Sequence, residues 1–457
     1  MTRRTEARAS RGRRYGRTAL AALAATGAAA GGVAAFGGFT TAAAASSGKV
    51  IDLTLWESHS GATNPVAEAE AHIVSMFNSS QSKVHMKILE THASTKALAA
   101  AEAGSPPVIA EISHYDGAFV SAGLIINQTP LMQAKGSGFT PSQLASFYPA
   151  AFINGRIPQA LKNGKPVPGK QYRTPADSKV SEMFYNKQMF KQAGIPGCPA
   201  TYNQLGTDLV KLKKLLGFTP MGWKDSTPHI YPAIIANGGG IYNPAHKATT
   251  FDSPAGITTF KQFRSWYAQG LMVITHGSTM RPEMASKKLA IEEGTSAGWA
   301  KVLAATKGHV SVGVCPEPAG TSGHTGNLVQ GLDFVIFSKH SAADQNAAFQ
   351  FVKFWNSPKA AAYWSEHSGY PPEVSSAVPL MSHFLNSYAG AGQKVSIQEL
   401  TSRYTTPRGV SDAYAEVDSA LDAAFFNYVT GKDTNLSATL KNLDAAAAKY
   451  LKGQAAI

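Results

Sequence analysis

Gly294-Thr295-Ser296-Ala297-Gly298 is a literal G-x-S-x-G. In α/β-hydrolases that spacing lifts a serine off a strand end beside a base and an oxyanion hole. Gly238-Gly239-Gly240 would serve as the oxyanion loop, and histidines follow as bases. Against this, only Leu289–Ile291 reads as strand, and Glu292-Glu293 stand where a buried apolar strand should precede the turn. Adjacent carboxylates on an extended chain point to opposite faces, which does not make them a glycosidase pair. No G-x-x-x-x-G-K-[ST], no H-E-x-x-H and no strand-following G-x-G-x-x-G occurs. The 13 histidines lack metal spacing. The expectation is a protein that is not an enzyme and needs no metal or cofactor, with an exported serine hydrolase using Ser296 as the alternative.

Binding chemistry is better represented. Rings stand beside hydroxyls and amides in Trp56-Glu57-Ser58-His59-Ser60, Ser113-His114-Tyr115-Asp116, Met221-Gly222-Trp223, Ser296-Ala297-Gly298-Trp299 and Ser368-Gly369-Tyr370. A sugar has an apolar face and polyol edges, so it calls for a stacking ring plus hydrogen-bonding side chains. Each cluster falls near an expected strand end or turn, where α/β proteins collect ligands.

The elements that must hold these loops are readable. Ile51–Trp56, Pro65–Asn78, Val84–Leu89, Lys96–Ala103 and Val108–Ile112 alternate between strand and helix patterns, which argues for a mostly parallel sheet covered by helices. Asn64-Pro65, Ser253-Pro254 and Ser357-Pro358 each place a capping side chain before a proline at the first helical position. Thr201-x-x-Gln204 suggests a capping box opening a helix to Leu216. Val417, Leu421, Phe425 and Tyr428 form one apolar stripe of a packing helix.

At 457 residues, 44% hydrophobic and 16% charged, the chain has globular composition with room for two or three cores. Seven arginines among residues 1–45 against Glu6 supply +6 of the net charge of +13. The other charges are scattered, unlike the clustered basic face of a nucleic-acid binder. The basic start, the uncharged Ala/Gly-rich Thr18–Phe36 and Ala43-Ala44-Ala45 have the three parts of a secretory signal, removed after residue 45. Arg13-Arg14 leaves Sec and twin-arginine export both open. No cysteine stands directly after the apolar segment, and no later stretch reaches 18 apolar residues, so the expected product is exported, soluble and without a lipid anchor there. Two cysteines, Cys198 and Cys315, exclude a disulfide scaffold and leave one bridge open.

The order of segments resembles the extracellular solute-binding proteins of ABC importers, family 1, the carbohydrate type. The resemblance runs through Leu53–Trp56, Phe77-Asn78, Ala103–Ile109, Ser121–Leu124, Tyr185–Lys187, Pro199–Tyr202, Phe251–Pro254 and Val352–Trp355. Ser368-Gly369-Tyr370-Pro371-Pro372 and Arg408 are most similar to the subfamily that binds sn-glycerol 3-phosphate and glycerophosphodiesters. The resemblance implies an α/β, two-lobed periplasmic-binding-protein fold, each lobe a mostly parallel sheet flanked by helices. It implies lobes of 46–174 with 315–370 and of 175–314 with 371–457, joined by crossings near 173–178, 312–318 and 369–373.

Carried onto this chain, it puts a carbohydrate or a sugar or glycerol phosphate in the cleft, with ABC permease subunits as partners and a monomeric state. Gly331, Tyr370, Ser296 and Trp223 match ligand-contacting positions of the glycerophosphate group. Trp299 matches a ring that stacks on sugar in maltose-type relatives, and His114 stands where relatives carry an acid. Ser58, His59, Tyr115, Ser178 and Asp333 complete the expected site, and Arg408 would fork onto phosphate or two hydroxyls. A glycan-binding surface protein without a transporter is the remaining alternative.

Overall fold

The computed structural model describes residues 49–59, 65–113, 117–159, 161–162, 165–224, 226–240, 242–243, 248–275, 280–408 and 414–451. The expected leader, the cap Asn64, His114 and Tyr115 lie outside them.

Two five-stranded sheets organise the chain. The first contains β1 (Ile51–Glu57), β2 (Val84–Glu90), β3 (Ile109–Ser113) and β4 (Thr174–Lys179). The second contains β5 (Ser181–Asn186), β6 (Met221–Lys224), β7 (Met272–Thr275), β8 (Ile291–Thr295) and β9 (Val312–Pro316). The chain then returns to the first sheet as β10 (Gln330–Ile336). The strand orders are β2-β1-β3-β10-β4 and β7-β6-β8-β5-β9. Within each, three strands run parallel (β2, β1, β3 and β7, β6, β8), and the strand arriving from the other sheet pairs antiparallel beside them. The expected β-α-β-α-β opening is present, with helices at Pro65–Ser80 and Ala93–Glu102. This is the two-lobed α/β architecture.

Local signals explain the helices. Pro254 and Pro358 sit in the first helical turn, where no amide is needed, and the Ser253 and Ser357 hydroxyls accept from the Gly256 and Ala360 amides. Thr201 accepts from the Gln204 amide, but Gln204 Oε1 reaches back to the Ala200 amide, so the reciprocal half of the expected box is displaced by one residue. A complete capping box stands instead at Thr140 and Gln143. The stripe of Val417, Leu421, Phe425 and Tyr428 is buried on the helix Tyr414–Val429, in the core of the second sheet. Among the described residues no helix is long and apolar enough to cross a membrane.

Sheet membership relocates the crossings. Residue 175, the expected start of the second lobe, lies inside β4, all of which belongs to the first sheet; the change of sheet comes at Val180. Tyr370, Val374, Ala377 and Met381 pack in the first core, so the segment expected to cross at 369–373 stays with the first lobe. The chain joins the second lobe by Gly392 against Trp299, and Ser396 donates to Glu182 at 2.6 Å. Val180 and Val329, from two crossing segments, bury together with Tyr148, Ala150, Ala151 and Leu400.

The strand before the G-x-S-x-G turn is longer than Leu289–Ile291. It runs through Glu292 and Glu293 because each has a partner on its own face: Arg281 Nε lies 3.9 Å from Glu292, and His229 Nδ1 lies 2.5 Å from Glu293.

Cys198 and Cys315 form a disulfide across a separation of 117 residues, tying the loop before the Tyr202–Leu216 helix to β9. Closing so long a loop restricts the unfolded chain most. Replacing both cysteines by serine is expected to lower unfolding free energy by about 2–4 kcal/mol in chemical denaturation.

Candidate functional site

Parallel strands present their carboxyl ends along one edge of a sheet, and here both sheets direct those ends into one cavity of about 540 Å³. From the first sheet come Ser58 and His59 after β1, Ser113 at the end of β3, and Ser94 and Thr95 in the first turn of the helix after β2. Asp177 and Lys179 of β4, with Gln330, Gly331 and Leu332 of β10, form the floor. The second sheet contributes Lys224 after Trp223, His229 on the following helix, and Thr295 at the end of β8. Tyr370 and Arg408 close the remaining sides.

Asp177 organises the first wall. Its Oδ2 lies 2.8 Å from His59 Nε2, and its Oδ1 accepts from the Leu332 amide at 3.2 Å. The His59 ring is further held edge-on to Tyr370, centroids 5.7 Å apart, and against Trp364. Burial alone would lower the His59 pKa, but the hydrogen bond and charge of Asp177 outweigh it and raise the value. Gly331, paired with Ser178, adopts φ +140°, and a Cβ there would meet the Asp177 carbonyl oxygen at 2.1 Å. Only glycine lets the two strands approach this closely beneath the cavity.

The second wall is basic. Burial pushes the His229 pKa down to about 3, assisted by the Lys224 and Lys179 charges, while burial raises Glu293. His229 Nδ1 and Glu293 stay in short contact beside Lys224, whose charge opposes the rise of Glu293. Burial lowers the Lys179 pKa against the pull of Asp177, with Arg408, Lys224 and Lys301 adding to the fall. The Arg408 guanidinium bonds Asp418, and its amide donates to Asn154 Oδ1 at 3.0 Å. Lys179, Lys224 and Arg408 thus surround a cavity whose described lining carries one carboxylate, Asp177.

Of the residues expected at the site, Ser58, His59, Gly331, Tyr370 and Arg408 line this cavity. Five others do not. The Ser178 hydroxyl donates to Glu373 at 2.8 Å, buried behind β4. Asp333 lies buried beside Arg173, Nε to Oδ2 3.7 Å. Trp223 is wholly buried, edge-on to Phe263 in the second core. Trp299 stacks on Phe184 and donates to the Ala389 carbonyl at 2.8 Å. Ser296 is buried at the crossing, where its Oγ accepts from the Val180 amide and its own amide donates to the Val180 carbonyl. A strand, turn and helix do meet at Ser296, but its hydroxyl is turned into the crossing and not toward a substrate space.

Sequence reading missed Asp177, Lys179, Lys224, His229 and Gln330. The usable signal was position: Lys179, Lys224 and Thr295 each stand at the end of a strand.

The sequence profile of the bacterial extracellular solute-binding proteins matches residues 72–390. The chain belongs to that family. Named relatives are distant. A Brucella abortus protein, itself a binding protein by prediction, is 25% identical over 247 residues, 51% of this chain and 58% of the relative. The sn-glycerol-3-phosphate-binding periplasmic protein of Pectobacterium atrosepticum is 22% identical over 299 residues, 62% of this chain and 64% of the relative. The chain thus spans less than two thirds of the length of these relatives. Among solved structures, the cyclic α-maltosyl-1,6-maltose binding protein of Arthrobacter globiformis superposes with TM-score 0.74 at 17% identity, covering 88% of this chain and 99% of that one. The Mycobacterium tuberculosis UgpB, solved with glycerophosphocholine, gives 0.71 at 19% identity over 88% and 98%. At such identity the likeness shows the two-lobed fold alone.

Replacing Gly331 by alanine is expected to cost about 1–3 kcal/mol in thermal or chemical unfolding, because the Cβ drives β10 from β4. Gly123, at φ +65° with open space around it, is the control, and the same substitution there should cost less.

Proposed function

We propose that this solute-binding protein captures an anionic, hydroxylated small molecule, a glycerol or sugar phosphate or its diester, and delivers it to an ABC permease. The observation that carries the reading is the charge of the cavity lining: Lys179, Lys224 and Arg408, the last also held by Asp418, against the single lining carboxylate Asp177, with His59 raised toward its cationic form. Phosphate oxygens are strong acceptors, and charge-assisted hydrogen bonds from lysine and arginine suit them. The first turn of the Ala93–Glu102 helix contains no acid and faces the same space through Ser94 and Thr95, which favours an anion there. Hydroxyl partners are supplied by Ser58, Ser113, Thr295 and Gln330.

A neutral oligosaccharide is served less well. Trp223 and Trp299 are spent on packing, which leaves Tyr370 as the carbon ring on the described wall. Binding would close the two lobes about the segments at Val180 and Val329. In keeping with the leader, the working place is outside the cytoplasmic membrane. A single chain suffices for the cavity.

Calorimetric titration with glycerol 3-phosphate, glycerophosphodiesters, sugar phosphates and neutral sugars tests the reading. Phosphorylated compounds should bind, and Lys224→Ala should weaken them roughly 10–100-fold, as for a lost hydrogen bond to a charged group. Binding of neutral sugars alone, unaffected by Lys224→Ala, overturns it.

A phosphodiester keeps its charge near neutrality, so the pH dependence of its affinity comes from the protein's own groups. Protonated His59 attracts the anion, and affinity should fall as pH rises through a pKa above the ordinary 6.5. In His59→Gln that fall should shrink to what Lys179, lowered by burial, contributes at higher pH.

A further inference from the structure

Behind the cavity, three buried glutamates converge. Glu57 ends β1, Glu111 lies on β3, and Glu70 lies on the Pro65–Ser80 helix packed over the sheet. One carboxylate oxygen of each lies within 4.8 Å of the other two. Glu70 occupies the inward stripe of its helix with Val66, Ala69, Ile73, Val74 and Phe77, where an apolar residue belongs. It is 1% exposed, and neither of its oxygens has a hydrogen-bond partner.

Glu57 and Glu111 are aimed by the backbone. One oxygen of Glu57 accepts from the His59 amide, and one of Glu111 accepts from the Ser58 amide at 3.3 Å. The second oxygen of each is buried and without a partner. The three side chains thus hold four buried acceptors without a hydrogen-bond partner, two of them on Glu70. A buried carboxylate without a donor or counter-charge is strongly unfavourable, so this group calls for a cation or for protons.

We infer that Glu57, Glu70 and Glu111 form a calcium site supporting the first wall of the cleft. All the ligands are carboxylate oxygens, the donors of a hard cation and poor ones for zinc or copper in competition with nitrogen and sulfur. Each of the three offers an oxygen within 4.8 Å of the other two, close enough to share one cation. The three side chains are buried, which favours calcium: magnesium dehydrates reluctantly and usually keeps several waters, whereas calcium accepts a set of carboxylate oxygens. The ion would fix the two carboxylates that hold the Ser58 and His59 amides. This inference is independent of which solute the cleft takes.

The test uses the purified protein stripped with a chelator. Equilibrium dialysis against calcium should return a single ion per chain, and melting temperature should rise through millimolar calcium more than through equal magnesium. Glu70→Gln keeps the shape and removes the charge; melting in chelator at or above the wild-type temperature shows that it folds, and its calcium response should vanish. Glu57→Gln is the second variant with the same expected loss. The site is overturned if wild-type protein retains no calcium, if Glu70→Gln or Glu57→Gln responds as the wild type does, or if magnesium matches calcium. Stabilisation by acid without any effect of calcium would assign the group to shared protons and equally overturn it.

Discussion

The cleft depends on one buried carboxylate, Asp177. Charge removed from water must be met by donors, and Asp177 meets it by accepting from the Leu332 amide and from His59. Those two bonds join the floor strands β4 and β10 to the loop after β1. They fix the His59 ring, which in turn packs on Tyr370 and Trp364. Gly331 is required beside it because nothing larger fits against the Asp177 backbone. The first wall is therefore one connected polar assembly, while the second is organised around the Glu293–His229 contact, with Lys224 facing the cavity beside it.

Several residues with binding chemistry serve the crossing instead. Ser296 exchanges two hydrogen bonds with Val180, where the chain changes sheets, and Ser178 ties β4 to Glu373. Asn327 accepts from the Ser181 amide and donates to Glu399, beside the pairing of Asn327-Leu328 with Thr405-Thr406. A crossing segment has no continuous sheet around it, so side chains must satisfy its backbone. Hydroxyls and amides concentrate there for the same reason that they concentrate at ligands. This shared requirement makes Ser178 and Ser296 look like contact residues in one dimension.

The tryptophans illustrate a second ambiguity. Trp223 and Trp299 follow strand-end signals that suit a stacking ring, yet both are needed to fill cores: Trp223 against Phe263, Trp299 against Phe184 and over Gly392. A side chain of that area contributes so much on burial that packing competes directly with ligand contact. Lys179 and Lys224 present the opposite case. In a list of scattered lysines they are indistinguishable from solvated surface, and only the meeting of two strand ends makes them neighbours.

The sequence by itself determined the alternation of strands and helices, the proline-started helices at Pro254 and Pro358, and the apolar stripe of Val417, Leu421, Phe425 and Tyr428. These rest on interactions within a few residues or on the period of one element. It also carried enough order for the two-lobed family to be legible, and it put Ser58, His59, Gly331, Tyr370 and Arg408 at a site. Tertiary structure alone decided that Val180 is where the sheets part, that Cys198 meets Cys315, and that Asp177, Lys179, Lys224 and His229 share one cavity. Those facts join residues tens to hundreds of positions apart. No local period or cap encodes which strand ends will face each other once both cores have formed.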